Sequence, residues 1–170
     1  MTILRDVEIW HPRVAPNRPN DKFNKLNPTW EIQLRTKDPK VRDGWKELNL
    51  NVKKIAPDEG EAYWRVNLKK KTINRNGEKT QPVKVVDGKM NPLDPNSIGN
   101  GSVGNVRILQ REYDKPDGSG KGVASTLMGV QITKLVPYHY EGMEDFEETD
   151  FAVEGSDEFS ATDETGALED

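Results

Sequence analysis

From Thr29 to Arg35 the chain alternates without a break, Trp30, Ile32 and Leu34 on one side and Glu31, Gln33 and Arg35 on the other. A period of two marks a strand with one buried and one wet face. The same rhythm runs through AYWRVNLKK (62–70), where Ala62, Trp64, Val66 and Leu68 alternate with Tyr63, Arg65, Asn67 and Lys69. Further strands are predicted at 3–10, with Ile3, Val7 and Ile9 largely on one side, and at 82–87, 105–113 and 123–136. Turn-forming segments separate them: INRNGEK, NPLDPNSIGNGS and KPDGSGKG. One stretch has a helical period instead. Asp38 can cap it and Pro39 suits the first helical position. Val41, Trp45, Leu48, Val52 and Ile55 then form one apolar stripe, which predicts a helix of about four turns stopped by APDEGE.

Strands outnumber helices, and no strand–helix–strand alternation supports a doubly wound sheet. The inventory fits a mainly β fold, an OB-fold-like barrel of five or six strands with one α-helix; another small barrel or sandwich fits it too. Residues 11–28, with four prolines among several Lys and Arg, read as a long basic loop. No internal repeat is present.

Charge divides the chain. The 170 residues carry a net charge of -4, but residues 141–170 hold 13 acids and no Lys or Arg. Residues 1–140 then hold 25 basic and 16 acidic side chains, a body of +9. The expected organisation is therefore a basic domain over 1–140 and a flexible acidic C-terminal tail over 141–170, disordered or held by a partner. A basic body attracts polyanions and an acidic block repels them.

Catalytic chemistry has little support. Cysteine is absent, and His11 and His139 match no metal or triad spacing. GSGKG (118–122) lacks the glycine at 115 and the Ser or Thr at 122 that a phosphate loop requires, so it reads as a hairpin turn. No enzyme activity, cofactor or metal is expected. The N-terminus has no leader-like apolar run and no stretch approaches a membrane span. A soluble protein without a membrane partner is the expectation.

The wet faces carry the functional signal. Tyr63, Arg65 and Lys69, continued by Lys71, place a ring and cations in one row. Arg107, Arg111 and Tyr113 repeat the pattern, and Lys84, Lys22 and Phe23 extend it. A flat ring for a base and cations for phosphates is what an unpaired nucleic-acid strand requires. With no recognition helix in sight, single strands are favoured over the major groove of a duplex. The tail offers carboxylates (among them Asp145, Glu169 and Asp170) interspersed with Phe146, Phe151 and Phe159. It can compete with DNA for the cationic surface at high effective concentration.

The strands AYWRVNLKKK and GVQITKLV, the basic body and the acidic end resemble bacteriophage single-stranded-DNA-binding proteins. That resemblance implies an OB-fold body that coats single strands in DNA replication and recombination, in the cytoplasm of an infected bacterium. It implies DNA contacts at Tyr63, Arg65, Lys69, Arg107, Arg111 and Tyr113. It also implies a tail, Glu141 to Asp170, that meets a polymerase, helicase or primase. Several such tails end in an aromatic residue; here Phe159 or Leu168 must stand in for it. Two alternatives stay open: an adaptor that recruits a basic partner through its tail, and an RNA-binding module. Homo-oligomerisation is open as well.

Overall fold

Seven strands and one α-helix make up the body: β1 (Thr2–Arg13), β2 (Thr29–Thr36), α1 (Pro39–Glu47), β3 (Lys53–Ile55), β4 (Tyr63–Lys71), β5 (Lys84–Asp87), β6 (Ser102–Asp114) and β7 (Lys121–Lys134). The computed structural model describes residues 1–22 and 24–138. The chain divides into two units, Met1–His139 and Tyr140–Asp170. The acidic tail, including Asp145, Phe146, Phe151, Phe159, Glu169 and Asp170, lies outside the described residues, as does Phe23.

The sheet order is β3-β4-β2-β1-β6-β7-β5, and a parallel pairing of Lys69 with Thr126 joins β4 back to β7. Five strands, β1, β2, β4, β7 and β6, therefore close into a barrel of the OB type. β3 and β5 are added outside the ring, on β4 and β7. Closure leaves the barrel strands no open edge. The interior is filled by the apolar half of each alternating pattern: Ile9, Leu34, Val66, Val106, Ile108 and Leu127 are almost wholly removed from water.

Two expectations are corrected. Ile3 does not join Val7 and Ile9; it is exposed, and Leu4 is buried in its place. A bulge between Leu4 and Val7, with Asp6 at φ 53, adds one residue and so turns positions 4 and 7 to the same face. The helix is also half as long as the apolar stripe predicts. It starts as expected, with Asp38 accepting from the Lys40 N–H at 2.9 Å. It stops at Glu47 because Asn49 adopts the left-handed conformation, φ 60. The Leu50 N–H then donates to the Trp45 carbonyl (3.1 Å) and the Asn49 N–H to that of Lys46 (3.0 Å). That pair of bonds is a Schellman stop, with buried Leu50 as its apolar companion to buried Trp45. Released from the helix, Lys53–Ile55 pairs with Tyr63–Arg65 as β3.

The GSGKG segment is a turn, at the tip of the β6–β7 hairpin. There the Lys115 N–H donates to the Gly120 carbonyl at 2.9 Å and the Gly118 N–H to that of Lys115 at 3.0 Å.

Candidate nucleic-acid interface

The outer faces of β2 and β4 carry Arg35, Arg65, Lys69 and Lys71. Strand register arranges this surface in rows. Glu8, Arg35, Arg65 and Lys53 lie side by side across β1, β2, β4 and β3. Trp10, Gln33 and Asn67 form the next row, then Arg13, Glu31 and Lys69, and finally Thr29 beside Lys71. Arg65 thus has a cation directly opposite it on each side. Such neighbours stand about 4.5–5.5 Å apart at Cβ, and like charges there are destabilising.

Glu8 stands beside Arg35 at the β1 end of that row, but its carboxylate accepts from Trp10 Nε1 and forms no salt bridge with the row's cations. Among the described residues the salt bridges are Lys37–Glu61 (3.3 Å) and Arg42–Asp43 (2.8 Å), and neither includes a cation of the row. Glu31, although opposite Lys69, turns its carboxylate to the Asn20 amide (3.0 Å) and the Thr29 hydroxyl (2.6 Å). Lys70, on the other side of β4 and paired with Trp30, is half-buried, and desolvation lowers its pKa.

At the head of the surface, Arg35 is stacked between two rings. Its guanidinium carbon lies 4.0 Å from the Trp10 ring centre and 4.4 Å from that of Tyr63. Gln33 accepts from Arg35 Nε at 2.6 Å, and the Gln33 amide donates in turn to Asn67 at 3.2 Å. His11 Nε2 lies 3.2 Å from the remaining arm of Arg35. A second bulge in β1, between Trp10 and Arg13 and with His11 at φ 49, lets the successive residues Trp10 and His11 both reach Arg35. The His11 pKa is lowered, first by burial and then by the Arg35 charge. At neutral pH His11 is therefore uncharged, and its Nε2 accepts from Arg35.

A groove of about 720 Å³ adjoins this stack, lined by Trp10, Arg35 and Tyr63 and by Glu8, Asp38 and Glu59. Its carboxylates repel phosphate, whereas the row from Lys53 to Arg35 attracts it. At the opposite end of the face sits the basic loop. Asn20 pairs with Thr29, and Asn27 holds the backbone of Ile73, accepting from its N–H (3.1 Å) and donating to its carbonyl (3.0 Å). Lys22 belongs to that loop.

The predicted site residues fall into separate groups. Tyr63, Arg65, Lys69 and Lys71 share the β2–β4 face. Arg107 and Lys84 do not: they lie on either side of Gly129, across β6, β7 and β5. In the closed ring β6 neighbours β1 and β7, so its outer face points away from that of β2 and β4. Arg111 and Tyr113 continue along β6 into the hairpin, opposite Ala124 and Gly122. The Tyr113 ring lies over Gly122 so closely that a Cβ there would come within 2.5 Å of it. The hairpin is fastened to the end of α1 by the Gln110 side chain, which donates to the Leu48 carbonyl at 2.7 Å.

Sequence reasoning missed Trp10, His11, Arg35 and Lys53. Arg35 stood in plain view on the wet side of an alternating strand. Lys53 was hidden by the overlong helix, and Trp10 and His11 by a bulge that breaks the alternation of β1.

Among the described residues, no helix is long and apolar enough to cross a membrane and no group of three or more His, Asp or Glu could hold a metal. No protein-family model matches the chain, and a search of curated proteins finds no match. Solved structures do match. The single-stranded DNA-binding protein of bacteriophage Enc34, in complex with ssDNA, aligns over 81% of this chain and 88% of its own, at TM-score 0.54 and 18% identity. Gp2.5, a single-stranded DNA binding protein encoded by bacteriophage T7, aligns over 89% of this chain and 98% of its own, at TM-score 0.52 and 17% identity. The chain therefore has the barrel fold of these bacteriophage single-stranded-DNA-binding proteins, as its strand pattern and charge division led one to expect.

Proposed function

We infer that the protein binds single-stranded DNA, with tolerance for sequence and without catalysis, across the outer face of β2 and β4. The observation that carries this reading is the Lys53–Arg65–Arg35 row, three adjacent cations that form no salt bridge among the described residues, ending in the Trp10–Arg35–Tyr63 stack. Mutual repulsion in that row is relieved when phosphates lie along it. Rings at its head offer base stacking, which depends on the π-face that every base shares. An uncharged base can enter the neighbouring groove, where Glu8 and Glu59 would keep phosphates out. In an OB barrel the second and third strands form the usual oligonucleotide face, and here those strands are β2 and β4. The solved Enc34 complex supports the reading through its shared fold.

In this reading the protein protects and organises single strands in phage DNA replication and recombination, in the cytoplasm of the infected host. Its acidic tail competes with DNA phosphates for the body's cations and recruits replication proteins. The test is a titration of oligo(dT) and of duplex of equal length, followed by intrinsic tryptophan fluorescence. Tighter binding of the single strand, weakening with salt, is expected. Equal affinity for duplex would overturn the assignment.

A further inference from the structure

The groove beside the Arg35 stack holds a fixed pattern of hydrogen-bonding groups. Glu8 and Trp10 lie two residues apart on β1, and the Trp10 Nε1–H donates to Glu8 Oε1. Glu8 is also the register neighbour of Arg35 on β2. Its carboxylate is thus held beside the Trp10 ring, and Oε2 has no hydrogen bond or ion pair among the described residues. Arg35 is held as firmly. Its Nε donates to Gln33 and Nη2 lies against His11, which leaves Nη1 without a hydrogen bond among the described residues. The guanidinium covers one face of Trp10 and one of Tyr63, so each ring keeps its other face.

The remaining walls complete a slot for a flat ligand. Val7, Val41, Trp45, Pro57 and Val103 give it an apolar lining. Of its other carboxylates, Asp38 caps α1 and Glu61 pairs with Lys37, whereas Glu59 forms no hydrogen bond or ion pair among the described residues. A volume of about 720 Å³ is that of a small-molecule site and ample for one base. The groups left without partners are a donor at Arg35 Nη1, an acceptor at its neighbour Glu8, and a second acceptor at Glu59.

One nucleobase has the complementary edge. Guanine presents O6 as an acceptor, then N1–H and the N2 amino group as two adjacent donors. Thymine has a single donor, N3–H, between two carbonyl oxygens. Cytosine and adenine each set a ring-nitrogen acceptor beside their amino group. In all three an acceptor would face a carboxylate, which only accepts, and such a mismatch is what discriminates against a wrong base. We propose that the groove is a guanine-preferring base site. The guanine stacks on Trp10, donates from N1 and N2 to Glu8 and Glu59, and accepts at O6 from Arg35. This deepens the single-stranded-DNA reading and rests on it: the cation row holds phosphates whatever the sequence, and one base at the head of the row is read.

The test uses the full-length protein and unlabelled octamers that displace a fluorescein-labelled oligo(dT). Each octamer is oligo(dT) with one terminal nucleotide, 5′ or 3′, replaced by dG, dA, dC or deoxyinosine. At one of the two ends dG should bind roughly fivefold to tenfold more tightly than dT, the lower part of the range for a bidentate base contact. There dA and dC should give no such gain, and deoxyinosine, which lacks the N2 amino group, only part of it. A base is uncharged, so the ratio of dG to dT should hold between about 50 and 200 mM salt while both affinities fall. Glu59→Gln and, separately, Glu8→Gln should bring the ratio close to one without weakening oligo(dT), because each removes a charge that repels phosphate. Glu59 lies in an exposed segment, so its variant keeps the test independent of folding. Tight binding with equal affinity for every octamer would overturn the proposal and leave the single-strand reading standing. So would an equal gain from dA, which is stacking alone, or a dG preference that survives both substitutions. Failure of every octamer to bind would overturn the single-strand reading and the proposal together.

Discussion

Replacing Arg65 by Gln and, separately, Arg107 by Gln distinguishes two faces that the sequence alone does not separate. Five cations, Arg35, Lys53, Arg65, Lys69 and Lys71, stand on the β2–β4 side. If each neutralises one phosphate of a single strand, log K falls with log salt at a slope of about -3.5, taking about -0.7 per contact. Between 50 and 200 mM salt that is roughly a 100-fold loss of affinity; with four contacts the slope is about -2.8 and the loss roughly 50-fold. Arg65→Gln should therefore flatten the slope by about 0.7, whereas Arg107→Gln should leave it unchanged for an oligo(dT) of about eight nucleotides, within the usual span of one OB barrel. Fluorescence titrations at several salt concentrations give the slopes. Thermal unfolding supplies the control: Arg65→Gln removes a cation flanked by two others, so stability should hold or rise while affinity falls. Equal flattening by both variants, or none with Arg65→Gln, would refute the division of the surface.

Other expectations follow from the same geometry. Tyr63→Ala should weaken oligo(dT) binding by about 1–3 kcal/mol if its ring stacks on a base, with little effect on the salt slope. His11 is harder to protonate folded than unfolded, so its contribution to stability is present above its ordinary value of 6.5 and is lost as pH falls through the lower folded value. Urea unfolding across pH 5 to about 7.5 should show that loss, and His11→Asn should abolish it. Protonation also places a new cation beside Arg35, so oligo(dT) affinity should rise over the same acid range in the parent and not in His11→Asn. Asn49→Gly should be neutral or stabilising and Asn49→Ala destabilising by about 1 kcal/mol, because the stop of α1 needs a left-handed residue; urea midpoints decide.

The strands that proved most legible are those where one face is core and the other water. β2 and β4 alternate without interruption, and the alternation named both the buried residues and the row from Tyr63 to Lys71. Where it failed, a backbone feature had intervened. The bulges at Asp6 and His11 each add one residue, which exchanges the faces of everything beyond. Leu4 thereby replaces Ile3 inside, and Trp10 and His11 come to meet Arg35. The helix was overextended because Leu48, Val52 and Ile55 keep its period by coincidence; Asn49 is the stop signal, weaker to the eye than glycine but of the same conformation.

The grouping of Arg107 and Lys84 with Tyr63 failed for a different reason. Alternation tells whether a side chain points into a barrel or out of it, and all three do point out. Which way an outward residue faces depends on the order in which strands close the ring, and that order is set by the pairing of β6 with β1 and of β4 with β7, contacts distant in sequence. Closure converts one pool of exposed cations into two surfaces with different neighbours. On one, Arg35, Arg65 and Lys53 keep company with Trp10 and Tyr63, rings that suit flat bases. On the other, Arg107 and Lys84 border methionines around a missing side chain at Gly129. Both surfaces attract negative charge, so charge alone cannot direct DNA to one rather than the other. The shape and softness of the apolar groups between the cations can.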